Sequence, residues 1–240
     1  IAKSIGIERG RIPLKCTKLT AFIDVQKDVL YWMVVAWEPY FSGHIVSYGA
    51  FPDQKMEYFA NNNLRNKLSD ITPGAGMEGA IYAGLTSLCN ELVPRMWVRE
   101  DGVEMAIDTT LIDANWGQST SVVYKVCGSS SWRGTVLPSH GKYVGASSQP
   151  WSELKGRRGE TMGHHWRRGK SESTKLERVV IDTNYWKSFV YDRLCVAIGD
   201  SGTMTIHQGT HRLLSEHLNS EFRVRTKGRG RELDEWKARP

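Results

Sequence analysis

Two aspartates lie where apolar segments of the sequence end, and carboxylates in that position can do chemistry. Asp24 closes the alternating segment LTAFID, and Asp113 closes a second apolar segment that leads into DANWG. An unpaired carboxylate among buried apolar residues is costly, so each aspartate needs a cap, a cation or a metal ion. Capping of a turn at Asp24 and of a helix start at Asp113 are alternatives that the sequence leaves open.

The chemistry depends on whether the two segments are neighbouring strands. If they are, their ends bring both carboxylates together, and two acids a few ångströms apart repel unless a divalent cation lies between them. Oxygen ligands alone favour Mg²⁺ or Mn²⁺. Two such ions can activate a water and stabilise the leaving oxygen of a phosphodiester. Asp24 and Asp113 therefore indicate a catalytic metal site that cleaves phosphodiesters.

The segment around Asp24 predicts an antiparallel hairpin. Residues 19–24 alternate between apolar and polar or aromatic side chains, as a half-buried strand does. A second apolar run covers 29–37, and the break Gln26-Lys27-Asp28 suits a tight turn. Residues 44–50 are expected to form a third strand.

The segment around Asp113 predicts a strand followed by a helix. Val103, Met105 and Ile107 alternate, and we expect this strand to continue through Ile112; the apolar residues at 122, 123 and 126 then mark a helix face. The same strand-to-helix pattern recurs, with a strand at 179–181 and a helix capped at Asp182 or Thr183. Other expected elements are a loop over TPGAGMEGA, helices at 82–93 and about 209–219, and a strand in EFRVRT. The whole indicates an α/β protein.

Basic residues are unevenly distributed. The formal net charge is +6, from 32 Lys and Arg against 26 Asp and Glu. The excess is concentrated at 155–178 and in FRVRTKGRGREL, and such clusters attract polyanions, although a solvated loop is an alternative. Residues 129–175 are expected to be a long irregular excursion with one short strand, GTVLPS. We expect its basic loop, 155–175, to clamp a DNA backbone through Arg157, Arg158, Arg167 and Arg168, with Trp151 and Trp166 as possible stacking residues.

Several classes of site are disfavoured by the sequence. It contains neither a GxxxxGK[ST] phosphate loop nor a GxSxG elbow. No apolar run approaches the length of a membrane span, about 20 residues, so no membrane contact is expected. Zinc is disfavoured because adjacent histidines, His164 and His165, point apart in a loop. The cysteines are widely spaced and are expected to be buried thiols: Cys16, Cys89, Cys127 and Cys195.

A set of ordered motifs carries a family resemblance. LTAFIDVQKDVLYWMVVAW, LIDANWGQSTSVVYKVC, VVIDTNYWKSFVYDRL, LLSEHLNSEFRV and DEWK resemble the C-terminal nuclease domain of the large terminase subunit of tailed bacteriophages, lambda-type branch. The likeness runs over about residues 19–237. It implies an RNase H-like fold: a central mixed β-sheet that opens with an antiparallel hairpin and is flanked by helices. It also implies a two-metal endonuclease that cuts concatemeric double-stranded viral DNA during packaging in the host cell cytoplasm.

The resemblance also implies roles for individual residues and partners. Asp24 and Asp113 match two metal ligands of the family, and Lys187 matches a recurrent lysine that packs or contacts phosphate. Asp182 is a minor candidate for a third ligand. The family's third acid follows the DEWK motif by about a dozen residues, so we expect that ligand beyond residue 240. Residues 1–18 are expected to be a linker from an ATPase domain, and the small terminase subunit and portal are expected partners of the full-length protein.

Two other classes of function stay open at this point. One is a non-catalytic nucleic-acid-binding module of the same fold that has lost its ions. The other is the transposase or resolvase relatives of that fold, which would show strand transfer or a preference for junctions. Nothing in the sequence favours the second over packaging.

Overall fold

The structure, a computed structural model, describes residues 3–239. The strands in chain order are β1 (Arg11–Ile12), β2 (Lys18–Val25), β3 (Leu30–Trp37), β4 (Gly43–Phe51), β5 (Trp97–Arg99), β6 (Glu104–Met105), β7 (Thr109–Asp113), β8 (Val136–Lys142), β9 (Thr161–Gly163), β10 (Trp166–Lys170), β11 (Glu177–Asp182), β12 (Met204–Ile206), β13 (Glu221–Gly228) and β14 (Arg231–Ala238). The helices are α1 (Leu68–Ile71), α2 (Gly76–Leu92), α3 (Thr120–Cys127), α4 (Thr183–Cys195) and α5 (Arg212–Leu218).

A nine-stranded mixed sheet organises the molecule, in the order β12-β4-β3-β2-β7-β8-β11-β10-β9. Strands β2, β3 and β4 are antiparallel neighbours, whereas β2, β7, β8 and β11 are parallel to one another. Strands β10 and β9 close one edge as an antiparallel pair. The short strands β1, β5 and β6 form a second sheet, and β13 and β14 form a separate hairpin.

Helices cover both faces of the large sheet. On one face, Ile23 and Ile112 are fully buried against the apolar sides of α2 and α3, which include Leu85 and Val123. On the other face, a smaller apolar cluster joins β3, β4 and β12 to α4 and α5. Burial alternates along β2, as its sequence pattern predicts, so consecutive residues serve the two faces in turn.

The α/β class, the opening hairpin and the strand-to-helix units are confirmed, but two local expectations are wrong. Helix α2 begins at Gly76, inside the segment expected to be a loop, because burial of Ala80 and Ile81 offsets the low helix propensity of its glycines. The strand expected over 103–112 is broken into β6 and β7. The break is at Asp108, whose Oδ2 accepts a hydrogen bond from the Leu19 amide at 2.8 Å.

The excursion at 129–175 is more ordered than expected. Strand β8 lies inside the sheet between β7 and β11, and Val136 and Leu137 are buried there. The basic loop of 155–175 contains the edge strand β9 and its neighbour β10. The two arginines of β10, Arg167 and Arg168, are tolerated because their side chains stay partly in solvent at this side of the sheet.

The first described residues pack on the same unit. Ile12 and Cys16 are fully buried in the main core, and Arg9 donates a hydrogen bond from Nε to the Ser47 hydroxyl at 2.9 Å. Residues 3–16, assigned to a linker from the sequence, therefore form part of the packed domain. Their connection to an ATPase domain stays a prediction.

Two further sequence expectations concern cysteines and membranes. Cys16, Cys89 and Cys127 are buried free thiols as expected, whereas Cys195 is exposed. Within residues 3–239, every helix is too short or too polar to pass through a bilayer.

Candidate functional site

The fold brings Asp24 and Asp113 to adjacent positions. Strands β2 and β7 pair in parallel with Ile23 opposite Ile112, and the two aspartates follow directly. Neighbouring strands lie about 4.8 Å apart, which sets the separation of the two backbones. Because both isoleucines point into the core, the aspartates point to the opposite face, towards α4 and α5.

A cleft of about 680 Å³ opens over these carboxylates. Its floor is formed by the ends of β2, β7 and β8, and its walls come from α4, α5 and the start of β13. The polar side chains around it include Asp24, Asp113, Asn115, Lys187, His217 and Glu221. The candidate site is therefore a groove open to a large ligand rather than an enclosed cavity.

The hydrogen bonds of the two aspartates are local, and they exclude the helix cap considered for Asp113. Gln26 Nε2 donates to Asp24 Oδ2 at 2.8 Å, and the Asn115 amide donates to Asp113 Oδ1 at 3.2 Å. Helix α3 begins only at Thr120, so Asp113 does not cap it. Within residues 3–239, neither aspartate forms an ion pair with an arginine or lysine.

The pKa shifts around the site reflect burial and the negative charge of Asp24. Burial raises the pKa of Asp113, the Asn115 amide opposes that rise, and the negative charge of Asp24 adds to it. Burial also raises the pKa of Tyr31, again with a contribution from Asp24. Burial lowers the pKa of His217, and this favours a neutral ring. The negative charge of Asp24 opposes that shift. Among the described residues, the two carboxylates are thus left without a protein cation between them.

The donor set fits a hard divalent cation. Asp24 and Asp113 offer carboxylate oxygens that repel each other and keep free lone pairs, the arrangement that Mg²⁺ and Mn²⁺ favour when waters complete their shell. Among the described residues, no group of three or more His, Cys, Asp or Glu side chains is placed to hold a metal ion. Within this part of the chain, a cation would therefore have two carboxylate ligands.

Replacing Asp113 by asparagine is expected to stabilise the metal-free domain at pH 7. The pKa of Asp113 is higher in the folded state than its unfolded value of about 3.9. The free energy of unfolding therefore falls as the pH rises from the unfolded to the folded pKa, and the full decrease is present at higher pH. Asparagine keeps the acceptor for the Asn115 amide and removes the charge. Each 1 kcal/mol gained would raise the melting temperature by about 2–4 °C, measured by thermal denaturation in EDTA.

The control for this variant is Asp28→Asn in the adjoining β2–β3 turn. The difference between Asp113→Asn and the native domain should shrink below pH 3.9, where the native carboxyl is protonated in both states. A variant that melts below the native domain at pH 7 would show that the Asp113 charge stabilises the fold, contrary to this account.

Lys187 lies in the cleft and contacts a third carboxylate that sequence reasoning missed. Its Nζ donates to Glu221 Oε2 at 2.5 Å, and both side chains line the groove over the aspartates. Glu221 opens β13 directly after α5. No spacing rule links it to Asp24, so only the folded arrangement reveals it.

Asp182 lies outside the cleft and has other partners. Asp113 pairs with Ser139, which pairs with Val179, so these three side chains lie on the same face of the sheet. Asp182 comes three residues after Val179, so its side chain points to the other face. Its side chain accepts hydrogen bonds from the Tyr185 amide at 3.3 Å, as the N-cap of α4, and binds His165 Nδ1 at 2.7 Å. The structure therefore does not place Asp182 with the acid pair.

The four arginines predicted to bind DNA lie at the sheet edge formed by β9 and β10, away from the aspartates. Arg157 pairs with Glu172, and Arg168 pairs with Glu177 at 2.6 Å. Arg167 lies 3.9 Å from Glu160, and Arg158 has no ion pair within the described residues. The Arg157–Glu172 and Arg168–Glu177 pairs are exposed and therefore weak, so phosphates could replace these glutamates.

The two tryptophans considered for base stacking differ in exposure. Trp151 is 6% exposed and packs with Val144 and Val180, so it is a core residue and that expectation is wrong. Trp166 is only partly buried at the start of β10.

Comparison with known proteins identifies one matching family. The family model described as the endonuclease domain of the terminase large subunit gpA matches residues 2–240. Searches of curated proteins and of solved structures gave no significant match.

Proposed function

The chain belongs to the family of terminase large subunit gpA endonuclease domains, and from this premise we propose that it is a divalent-metal-dependent DNA endonuclease. It would cut concatemeric double-stranded viral DNA during packaging in the host cell cytoplasm, by a two-metal mechanism with Mg²⁺ or Mn²⁺. The family supports a nuclease role in DNA packaging. The metal requirement and the roles of residues rest on the geometry of the cleft.

The observation that carries the proposal is the juxtaposition of Asp24 and Asp113, which form no ion pair with a lysine or arginine in the described part of the chain. The two residues extend a parallel register at one end of the sheet and face an open groove. A structural carboxylate pair would be expected to have a cationic partner, because each charge otherwise costs stability. Acids that repel and stay unpaired are typical of metal-binding catalytic sites.

The fold offers a second line of support. We propose an RNase H-like fold, because β4-β3-β2 are antiparallel neighbours and are followed in the sheet by β7 and β8, both parallel to β2. Helices lie on both faces of this sheet. The fold by itself does not imply activity, which depends on the residues of the site.

In this mechanism the chain's own residues position the metal ligands and the DNA. Asp24 and Asp113 would hold the cations, which would supply an activated water and stabilise the leaving oxygen. Gln26 and the Asn115 amide orient the two carboxylates. His217, which burial favours in its neutral form, does not compete as a counter-ion. Lys187 would exchange Glu221 for a DNA phosphate next to the scissile bond.

Plasmid cleavage tests the proposal. We expect supercoiled plasmid to be nicked and then linearised by the purified domain in Mg²⁺ or Mn²⁺. Binding without cleavage over the full range of metal and protein concentrations would instead favour a non-catalytic DNA-binding module. The small terminase subunit and portal are the proposed partners of the full-length protein.

The basic edge of the sheet gives a separate prediction about DNA affinity. Replacing Arg157, Arg158, Arg167 and Arg168 together by alanine should weaken duplex binding at least tenfold. Each lost phosphate contact should also reduce the slope of log affinity against log salt by about 0.9. Fluorescence anisotropy with a short duplex in EDTA measures both quantities.

Lys15→Ala is the control for the arginine set, because Lys15 precedes β2 at the opposite end of the sheet from the aspartates. Native affinity and an unchanged salt slope in the four-arginine variant would move the DNA clamp elsewhere. The next candidates are the arginines of the β13–β14 hairpin.

A further inference from the structure

A row of oxygen-bearing side chains crosses three parallel strands on the floor of the acid cleft. Asp113 on β7 pairs with Ser139 on β8, and on the other side of β7 Ile112 pairs with Ile23, which directly precedes Asp24. Residues paired between parallel strands place their side chains on the same face of a sheet. The row therefore runs from Asp24 through Asp113 to Ser139.

Ser139 is a buried residue whose hydroxyl is not used by the fold. The residue is only 2% exposed, and its carbonyl accepts a hydrogen bond from the Ala114 amide at 2.9 Å. Within residues 3–239 the hydroxyl has no hydrogen-bond partner, yet it is not one of the fully enclosed polar atoms that lack a partner. The hydroxyl therefore reaches the space of the cleft, which Ser139 lines together with Asp24 and Asp113. A largely buried polar group is normally hydrogen-bonded, so this one calls for a ligand in the cleft.

The other neighbours of Ser139 on this face offer its hydroxyl no partner. Strand β11 places Val179 beside it, and valine has no polar side-chain atom. Two residues along β8, Gly141 has no side chain, and its carbonyl accepts a hydrogen bond from the side-chain amide of Asn115 at 2.8 Å. Along the row, the polar neighbour of Ser139 is therefore Asp113.

The spacing of the row suits a cation shared by Asp113 and Ser139. Neighbouring strands lie about 4.8 Å apart, and the ions of a two-metal site lie about 3.5–4 Å apart. One ion between Asp24 and Asp113 and another between Asp113 and Ser139 would match that spacing. A serine or threonine hydroxyl binds Mg²⁺ beside an aspartate in phosphate-loop enzymes. Because the hydroxyl is neutral, it adds an oxygen ligand without adding to the repulsion between the acids.

We propose that the Ser139 hydroxyl is a neutral ligand of a cation that it shares with Asp113, on the side of Asp113 away from Asp24. The inference rests on the proposed function, because the cation is that of the nuclease site. Asp24 and Asp113 hold the first ion, and Ser139 positions the second. The ligands from the described residues are then two carboxylates and one hydroxyl, and water or DNA phosphate oxygens complete the shells.

Calorimetric titration of the domain with Mn²⁺ alone tests this assignment. We expect Ser139→Ala to weaken at least one Mn²⁺ site about tenfold, since even the loss of a group that only orients a metal ligand costs about 10–100-fold in affinity. The melting temperature in EDTA should not fall, because the hydroxyl bonds to nothing in the metal-free domain. The matched control is Ser171→Ala: Ser171 is 5% exposed, follows β10, and should leave Mn²⁺ binding unchanged.

The variant Ser139→Cys keeps the shape of the side chain and changes the chemistry of the ligand atom. Thiolates favour Zn²⁺, whereas oxygen ligands favour Mg²⁺ and Mn²⁺. We expect the ratio of Zn²⁺ to Mg²⁺ affinity to rise at least about tenfold over that of the native domain. A serine with a purely structural role would leave this ratio unchanged. If Ser139→Ala does not fold, an unchanged ratio in Ser139→Cys overturns the proposal.

The outcomes separate this inference from the proposed nuclease function. Native Mn²⁺ affinities in a folded Ser139→Ala domain would overturn the Ser139 contact and leave the acid pair in place. Weaker Mn²⁺ binding in that variant, in a domain that never cleaves DNA with any metal, would support the contact and contradict the nuclease. A native domain that binds no Mn²⁺ would contradict both.

Discussion

We expect that replacing either Asp24 or Asp113 by alanine lowers the rate of plasmid cleavage at least about a hundredfold relative to the native domain. In the proposed mechanism each carboxylate is one of two adjacent metal ligands, so the alanine variant would lose one of the two protein ligands of the cation. Metal ions contribute several kcal/mol of transition-state stabilisation, and each 1.4 kcal/mol is a factor of ten in rate. Conversion of supercoiled to nicked plasmid under enzyme excess measures the effect.

The isosteric variants Asp24→Asn and Asp113→Asn make this test sharper. They keep hydrogen-bond acceptors for Gln26 and the Asn115 amide, so the fold and DNA affinity should be preserved while cleavage is lost. Asp28→Asn, in the turn that follows Asp24, should cleave at the native rate. Native cleavage by both alanine variants would rule out the acid pair as the catalytic centre.

Removal of divalent cations is expected to have an effect of similar size. In EDTA, cleavage should fall below detection, and either Mg²⁺ or Mn²⁺ added in excess should restore it. DNA binding should persist in EDTA, because the proposed contacts are basic side chains at the sheet edge and Lys187, which need no metal. Cleavage and anisotropy assays on the same samples separate the two activities.

The native domain and the Asp24→Asn variant provide the control for metal removal. Calorimetric titration with Mn²⁺ should show binding to the native domain that is lost or strongly weakened in the variant. Undiminished cleavage in EDTA would contradict a metal mechanism. Equal Mn²⁺ binding by the native domain and the variant would place the ion elsewhere.

The sequence predicts the acid pair because local patterns determine it. Alternation along 19–24 places Ile23 in the core, so Asp24 must face the other side. The same logic applies to Ile112 and Asp113. What the pattern cannot supply is the pairing of β2 with β7, since about 80 residues of chain separate them. Before the structure, only the resemblance to the terminase nuclease family predicted that β2 and β7 are neighbours.

The features that sequence reasoning missed depend on contacts between distant segments. Gly76 starts a helix because residues further along α2 are buried, which overrides local propensity. Glu221 enters the cleft because β13 begins beside α4. The arginines of the basic loop are individually visible in the sequence, but their glutamate partners are brought to them by the β9–β10–β11 edge. The contact between His165 and Asp182 likewise appears only in the folded turn.

The most direct test of the account is a crystal of the domain soaked in Mn²⁺ and measured at the manganese absorption edge. We expect anomalous density between the carboxylates of Asp24 and Asp113, in contact with both. An empty gap between them at saturating Mn²⁺, or a lysine or arginine side chain in that position, would contradict it.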